Sequence, residues 1–172
     1  MNKDLTEQQF VSCKAGHNIY QMFANKVGGS IKSFGLKCDG FNGGQWNVLS
    51  NNAAPSTFHS SWIGGQLITS VTVYKWLDPN LGYFVVSSIN TCTLNTVTQV
   101  SSCHGFNAIP QCNAAGPSCK VSVYTAPDGQ TLNNFYFKTI INAAASIATP
   151  GNILEFIAST QPITPATLKS IN

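Results

Sequence analysis

The chain predicts an all-β domain, built as a sandwich, a barrel or a prism, and two observations carry that expectation. Apolar and polar residues alternate with period two in Ile68-Thr69-Ser70-Val71-Thr72-Val73-Tyr74 and again in Cys119-Lys120-Val121-Ser122-Val123-Tyr124, which puts successive side chains on opposite faces of a strand. Turn signals fall between such segments: Asn42-Gly43-Gly44, Gly64-Gly65, Asp78-Pro79-Asn80, Pro127-Asp128-Gly129 and Pro150-Gly151.

Taken in order, the first strand pattern follows Gly28-Gly29 and runs through Ser30-Ile31-Lys32-Ser33-Phe34-Gly35-Leu36-Lys37-Cys38. A similar scheme returns at Gly82-Tyr83-Phe84-Val85-Val86-Ser87-Ser88-Ile89-Asn90-Thr91-Cys92, an internal echo of glycine followed by an alternating strand. Asn134-Phe135-Tyr136-Phe137-Lys138 reads as a further strand, leading into Ile140-Ile141-Asn142-Ala143-Ala144-Ala145, which has the composition for one or two helical turns. No linker or low-complexity tract divides the chain, so residues 1–160 are expected to form a single domain and 161–172, with two prolines, an irregular tail.

Composition narrows the function classes. Of 172 residues 43% are hydrophobic but only 9% charged, so solubility falls to Ser, Thr, Asn, Gln and Gly, a balance suited to an extracellular or particle-bound protein. All nine basic residues are lysines, scattered singly, with a net charge of +3. Without arginine the best reader of base edges and bidentate phosphate ligand is missing, which argues against sequence-specific nucleic-acid binding.

The six cysteines (Cys13, Cys38, Cys92, Cys103, Cys112 and Cys119) include no Cys-x-x-Cys pair. A zinc set of Cys103, His104, Cys112 and Cys119 would need adjacent Cys and His to ligate one ion, so disulfides are expected instead, in an oxidising compartment. Six cysteines allow fifteen pairings. We expect Cys13–Cys38, and Cys112–Cys119 closing the small loop Asn113 to Ser118. The opening residues Met1 to Gln9 lack the apolar segment of a signal peptide, so export is expected through a removed signal or by another route. The longest apolar stretch, Thr139 to Thr149, is far short of the roughly 20 residues of a membrane-spanning helix.

Catalytic signals are missing. The carboxylates Asp4, Glu7, Asp39, Asp78, Asp128 and Glu155 form no sequence-adjacent pair, and His17, His59 and His104 stand alone. His59-Ser60-Ser61 lacks the nucleophile elbow and third member that a hydrolase triad needs. Phosphate-binding loops and dinucleotide fingerprints are also lacking, so neither an enzyme nor a cofactor is expected.

Cys13-Lys14-Ala15-Gly16-His17-Asn18-Ile19 followed by Gly28 to Cys38 resembles the cysteine-framed repeat of jacalin-like and vitelline-membrane-outer-layer-type β-prism domains. The hairpin from Ile68 to Tyr74 and Gly82 to Ile89 looks like a second copy, longer at the turn by Lys75 to Leu81, and the matched segments cover about a quarter of the chain. The resemblance implies a β-prism, with a β-sandwich or jelly roll as the alternative. It also implies lectin-like carbohydrate binding, in which an Asp after Gly-x-x-x accepts bonds from sugar hydroxyls. The matching positions here are Lys32 and Val86, neither of which accepts a hydrogen bond through its side chain, so the usual sugar site is expected to be absent from both repeats.

Aromatic side chains offer another route to a sugar, because a flat ring stacks on the apolar face of a pyranose. Trp46 and Trp62 are expected in the core, whereas Trp76, with Asp78, Asn80 and Tyr83 around the same turn, is the exposed candidate for carbohydrate binding. The expected function is a secreted, non-enzymatic binding protein with a glycan or protein partner, the alternative being a structural subunit of a coat, matrix or virion. A pore-forming toxin is a third reading, resting on the amphipathic Thr91 to Ser102 segment. Asn134 to Thr160 carries many large apolar residues and only Lys138 and Glu155 as charges, so it is expected to be core or a self-association surface.

Overall fold

The computed structural model describes residues 5–12, 19–27, 30–38, 46–49, 58–61, 66–95, 97–107, 114–141 and 153–162. Every regular element among them is a strand: β1 (Leu5–Ser12), β2 (Ile19–Val27), β3 (Ser30–Cys38), β4 (Trp46–Leu49), β5 (Phe58–Ser61), β6 (Gln66–Leu77), β7 (Phe84–Asn95), β8 (Ser101–Asn107), β9 (Cys119–Thr125), β10 (Gln130–Ile141) and β11 (Ile153–Pro162). They form three sheets of order β1-β10-β11, β4-β3-β2-β5 and β8-β7-β6-β9, with antiparallel pairing throughout. Each sheet packs on both others: β10 on β6, β11 on β7 and on β3, β3 on β7. Three sheets facing a shared axis make a β-prism, where a sandwich or jelly roll would stack two.

Aromatic side chains fill that axis. Phe34 of β3 is fully buried and meets Phe156 of β11 at 5.0 Å between ring centroids and 77°, Phe137 of β10 at 5.6 Å and 88°, and Phe135 at 5.7 Å. Phe137 and Phe156 stack at 5.2 Å. Ile68, Val71, Val73, Val86 and Ile89 close the cluster from the third sheet. Side-chain hydrogen bonds also join sheets directly: Thr131 Oγ1 donates to the Ile68 carbonyl at 3.1 Å, and the Tyr124 hydroxyl to the Phe156 carbonyl at 3.2 Å.

The inward alternation is broken at the same places in all three sheets. In β2–β3 the register skips Tyr20 and Lys32, in β6–β7 Thr69 and Ser87, and in β10–β11 Asn133 and Leu154. Between its two skipped residues each hairpin pairs five residues on either strand: Gln21–Asn25 with Ser33–Lys37, Ser70–Tyr74 with Ser88–Cys92, Asn134–Lys138 with Glu155–Ser159. An extra residue on one strand is a β-bulge, which bends and twists the sheet. Here paired bulges on opposite strands restore the register and curve each sheet around the axis. Equivalent positions then carry equivalent core residues: Ile31, Val86 and Ile153 just before the second bulge, and Phe34, Ile89 and Phe156 beyond it. In β6–β7 the bulged residues also satisfy the opposite strand, Thr69 Oγ1 donating to the Cys92 carbonyl (3.3 Å) and Ser87 Oγ to the Tyr74 carbonyl (3.4 Å).

This register corrects the glycine-anchored echo. Counting from glycine sets Lys32 against Val86, but the bulges set Lys32 against Ser87 and Leu154, one residue out of step. Val86 is a core residue with no exposed surface. The third copy, Ile153-Leu154-Glu155-Phe156, lies in the stretch expected only to be core or interface. Part of that stretch is core: Phe135, Phe137, Ile153, Phe156 and Ala158 are buried, while Ile157 is 40% exposed. Ile140 and Ile141, expected in a helical turn, are the last residues of β10, and Ala143 to Ala145 lie outside the described residues. Strand β11 carries Gln161 and Pro162, and residues from 163 onward lie outside the described residues.

Cys92 and Cys103 sit opposite each other in β7–β8 and are bridged, so Cys103 is not a thiolate for zinc. Cys119 is disulfide-bonded as well, which makes two bridges at least. Cys13 and Cys112, and with them the expected pairings, lie outside the described residues.

Phe156→Ala empties the junction of β3, β10 and β11 and is expected to cost about 3–5 kcal/mol in urea unfolding. Ile157→Ala, its half-exposed neighbour on the opposite face, is expected to cost well under half as much. Equal small losses would place the core elsewhere.

Candidate functional site

The turn after β6 is held from within. The Asp78 N–H donates to the Tyr83 carbonyl at 3.1 Å and the Gly82 N–H to the Asp78 carbonyl at 2.8 Å, with Gly82 at φ 75°, a backbone state glycine adopts without strain. Asp78 Oδ1 accepts the N–H groups of Asn80 (2.8 Å) and Leu81 (3.3 Å), an Asx turn. That oxygen is therefore a structural acceptor. Trp76 lies two residues earlier, in register with Val85 and Cys119, both buried, and is itself half-buried where the sequence had suggested exposure. Asn80 is exposed and Tyr83 half-buried. The four candidate residues Trp76, Asp78, Asn80 and Tyr83 do share one end of the sheet, but around a tight turn and with one carboxylate oxygen already engaged.

A second arrangement was not visible in the sequence. Where the edge strands β9 and β11 meet, a groove of about 220 Å³ is lined by Val73, Lys75, Ser122, Tyr124, Glu155, Phe156 and Ile157. Its lining combines three apolar side chains, two of them buried, with an ammonium, a carboxylate and two hydroxyls. Tyr124 donates its proton to the Phe156 carbonyl, and its oxygen, which also takes part in the Ser122 hydrogen bond, can act toward a ligand only as an acceptor. Burial pushes the Tyr124 phenol above its ordinary value, the Ser122 hydrogen bond opposes this, and the Glu155 charge adds to it. Glu155 is exposed and directly follows Leu154, the residue in register with Lys32 and Ser87.

Other chemistry has less to work with. Among the described residues no group of three His, Cys, Asp or Glu side chains could hold a metal ion. Thr91 and Thr93 are buried in the sheet, and Cys92–Cys103 bridges the segment that suggested a membrane hairpin. No described helix is long and apolar enough to cross a membrane.

No protein-family model matches the chain, and no curated protein does. Among solved structures it is similar to Calystegia sepium agglutinin, with a TM-score of 0.54 and 10% identity over 94% of this chain and 99% of that one. It is similar also to the mosquito-larvicidal Cry4Aa toxin of Bacillus thuringiensis, with a TM-score of 0.55 and 11% identity over 91% of this chain but 33% of the toxin. The V. cholerae biofilm matrix protein Bap1 gives a TM-score of 0.51 and 11% identity, with 91% of this chain matching 22% of that protein. The chain thus spans a fifth to a third of two of the three. These are likenesses of fold, and at that level the resemblance to β-prism domains holds.

Tyr124 supplies a pH signature. A phenol whose folded pKa is raised holds its proton more tightly in the fold than in the unfolded chain, so its contribution is complete below the ordinary value of about 10 and is lost as pH rises through the folded value. Thermal unfolding of Tyr124→Phe is expected to depend less on pH above about 10 than that of the native protein. Identical alkaline profiles would contradict the buried environment assigned to this hydroxyl.

Proposed function

We propose that this protein is a non-enzymatic, lectin-like carbohydrate-binding domain that takes a sugar in the groove between β9 and β11. The groove carries the proposal: the buried Val73 and Phe156 and the exposed Ile157 line it together with Glu155, Tyr124, Ser122 and Lys75. Saccharides have apolar ring faces and polar edges, so their sites combine apolar contact with a few placed acceptors and donors. Glu155 accepts two hydroxyl protons, Lys75 donates, the Ser122 hydroxyl does either, and Tyr124, whose proton goes to the Phe156 carbonyl, accepts. The turn of Trp76, Asp78, Asn80 and Tyr83 is a second candidate contact, with Asp78 limited to its remaining carboxylate oxygen. Disulfide bonding supports an oxidising, extracellular or particle-surface location.

The structural-subunit reading keeps one supporting observation, the exposed apolar residues Phe10, Val97, Val100 and Val123. Self-association that rises with concentration would favour it. A glycan array followed by calorimetry tests the binding reading. Glu155→Gln, which keeps the shape but loses the charge, is expected to weaken a hit about tenfold, since hydrogen bonds to charged groups contribute about 1.5–3 kcal/mol. Loss in Trp76→Ala with Glu155→Gln unaffected would move the site to the turn, and an array without hits would remove the proposal.

A further inference from the structure

Sheet β1-β10-β11 presents an outer face on which Phe10, Tyr136 and Ile157 stand in one row, paired Phe10 with Tyr136 and Tyr136 with Ile157. Phe10 is 74% exposed and lies 5.0 Å from the Tyr136 ring. The neighbouring rows are Gln8, Lys138, Glu155 on one side and Ser12, Asn134, Ser159 on the other. Ile157 and Glu155 also line the groove, so the row and the groove are one continuous surface around the edge strand β11.

We infer that this row is an extension of the groove, and that the ligand is a neutral oligosaccharide laid across the sheet, not a single sugar. The inference rests on the groove being the sugar site. Three strands place the row over two interstrand spacings, about 10 Å in all, enough for more than one pyranose ring. Its rings offer stacking surfaces and the flanking amides and hydroxyls match sugar hydroxyls on both edges. Lys138 and Glu155 stand opposite each other across β10 and β11, so the rows flanking the aromatic row carry no net charge, which disfavours a charged partner there. A second copy of the chain is a poorer occupant: a stable protein interface covers roughly 800 Å² per partner with some 20–30 residues, and the apolar row is three side chains wide.

Glucose, galactose, mannose and N-acetylglucosamine, with their linear dimers, trimers and tetramers, serve as probes in calorimetry and in amide shift mapping of the isotope-labelled protein. Affinity is expected to rise at least tenfold from monomer to trimer, with shifts spreading from Glu155 and Ile157 to Tyr136 and Phe10. Phe10→Ala should remove that gain and leave monomer binding unchanged, while Phe10→Trp should restore it. Because Phe10 is exposed, the variant's amide spectrum checks that its fold is intact. Monomer binding without a chain-length gain, or a gain that Phe10→Ala leaves intact, overturns this inference alone. So does Phe10→Ala that lowers only thermal stability, or that abolishes self-association instead of sugar binding. No binding by any probe defeats both the sugar site and its extension.

Discussion

The contact of Phe34 with Phe135, Phe137 and Phe156 is the constraint on which the rest depends. Each sheet has one apolar face, and none can cover that face alone. Phe34 brings the β2–β3 hairpin onto β10 and β11, and Val73, Val86 and Ile89 bring the β6–β7 hairpin onto the same cluster. Edge-to-face and tilted ring pairs of this kind contribute about 0.5–1.5 kcal/mol each beyond their buried area. A chain with only 9% charged residues has few ion pairs to substitute for them.

That core also sets where the outer surfaces lie. Leu154 is skipped in the register, so Glu155 and Ile157 point away from the axis while Ile153 and Phe156 point into it. Without the bulge, strict alternation could not send Ile153 and Phe156, three residues apart, to one face. The same displacement in β10, at Asn133, keeps Leu132 and Phe135 inside and leaves Tyr136 on the outer face beside Phe10. The groove and the row are therefore consequences of how the prism closes.

Alternation made the strands legible in the sequence, and Asp78-Pro79-Asn80 and Pro127-Asp128-Gly129 marked turns that the backbone makes, Gly129 at φ 79°. The bulges were not legible, because a skipped Thr69, Ser87 or Leu154 looks like any strand residue until its partner is known. Hence the repeat was found twice instead of three times, and Lys32 was matched to the buried Val86. The turn of Trp76 was legible as a cluster but not its internal hydrogen bonds, which occupy Asp78. The groove escaped altogether. It joins Lys75, Ser122, Tyr124 and Glu155 from three strands, and only tertiary packing brings these together.

If three bulged hairpins close on one aromatic axis, none of the sheets can open without the others. Native-state amide hydrogen exchange measures this most directly, through the amides of Phe34, Ile89 and Phe137, each in an inner strand of a different sheet. The account predicts that all three exchange only by global unfolding, with one free energy and one dependence on denaturant. A sheet whose amide exchanges at distinctly lower free energy, with a shallower dependence, would contradict it.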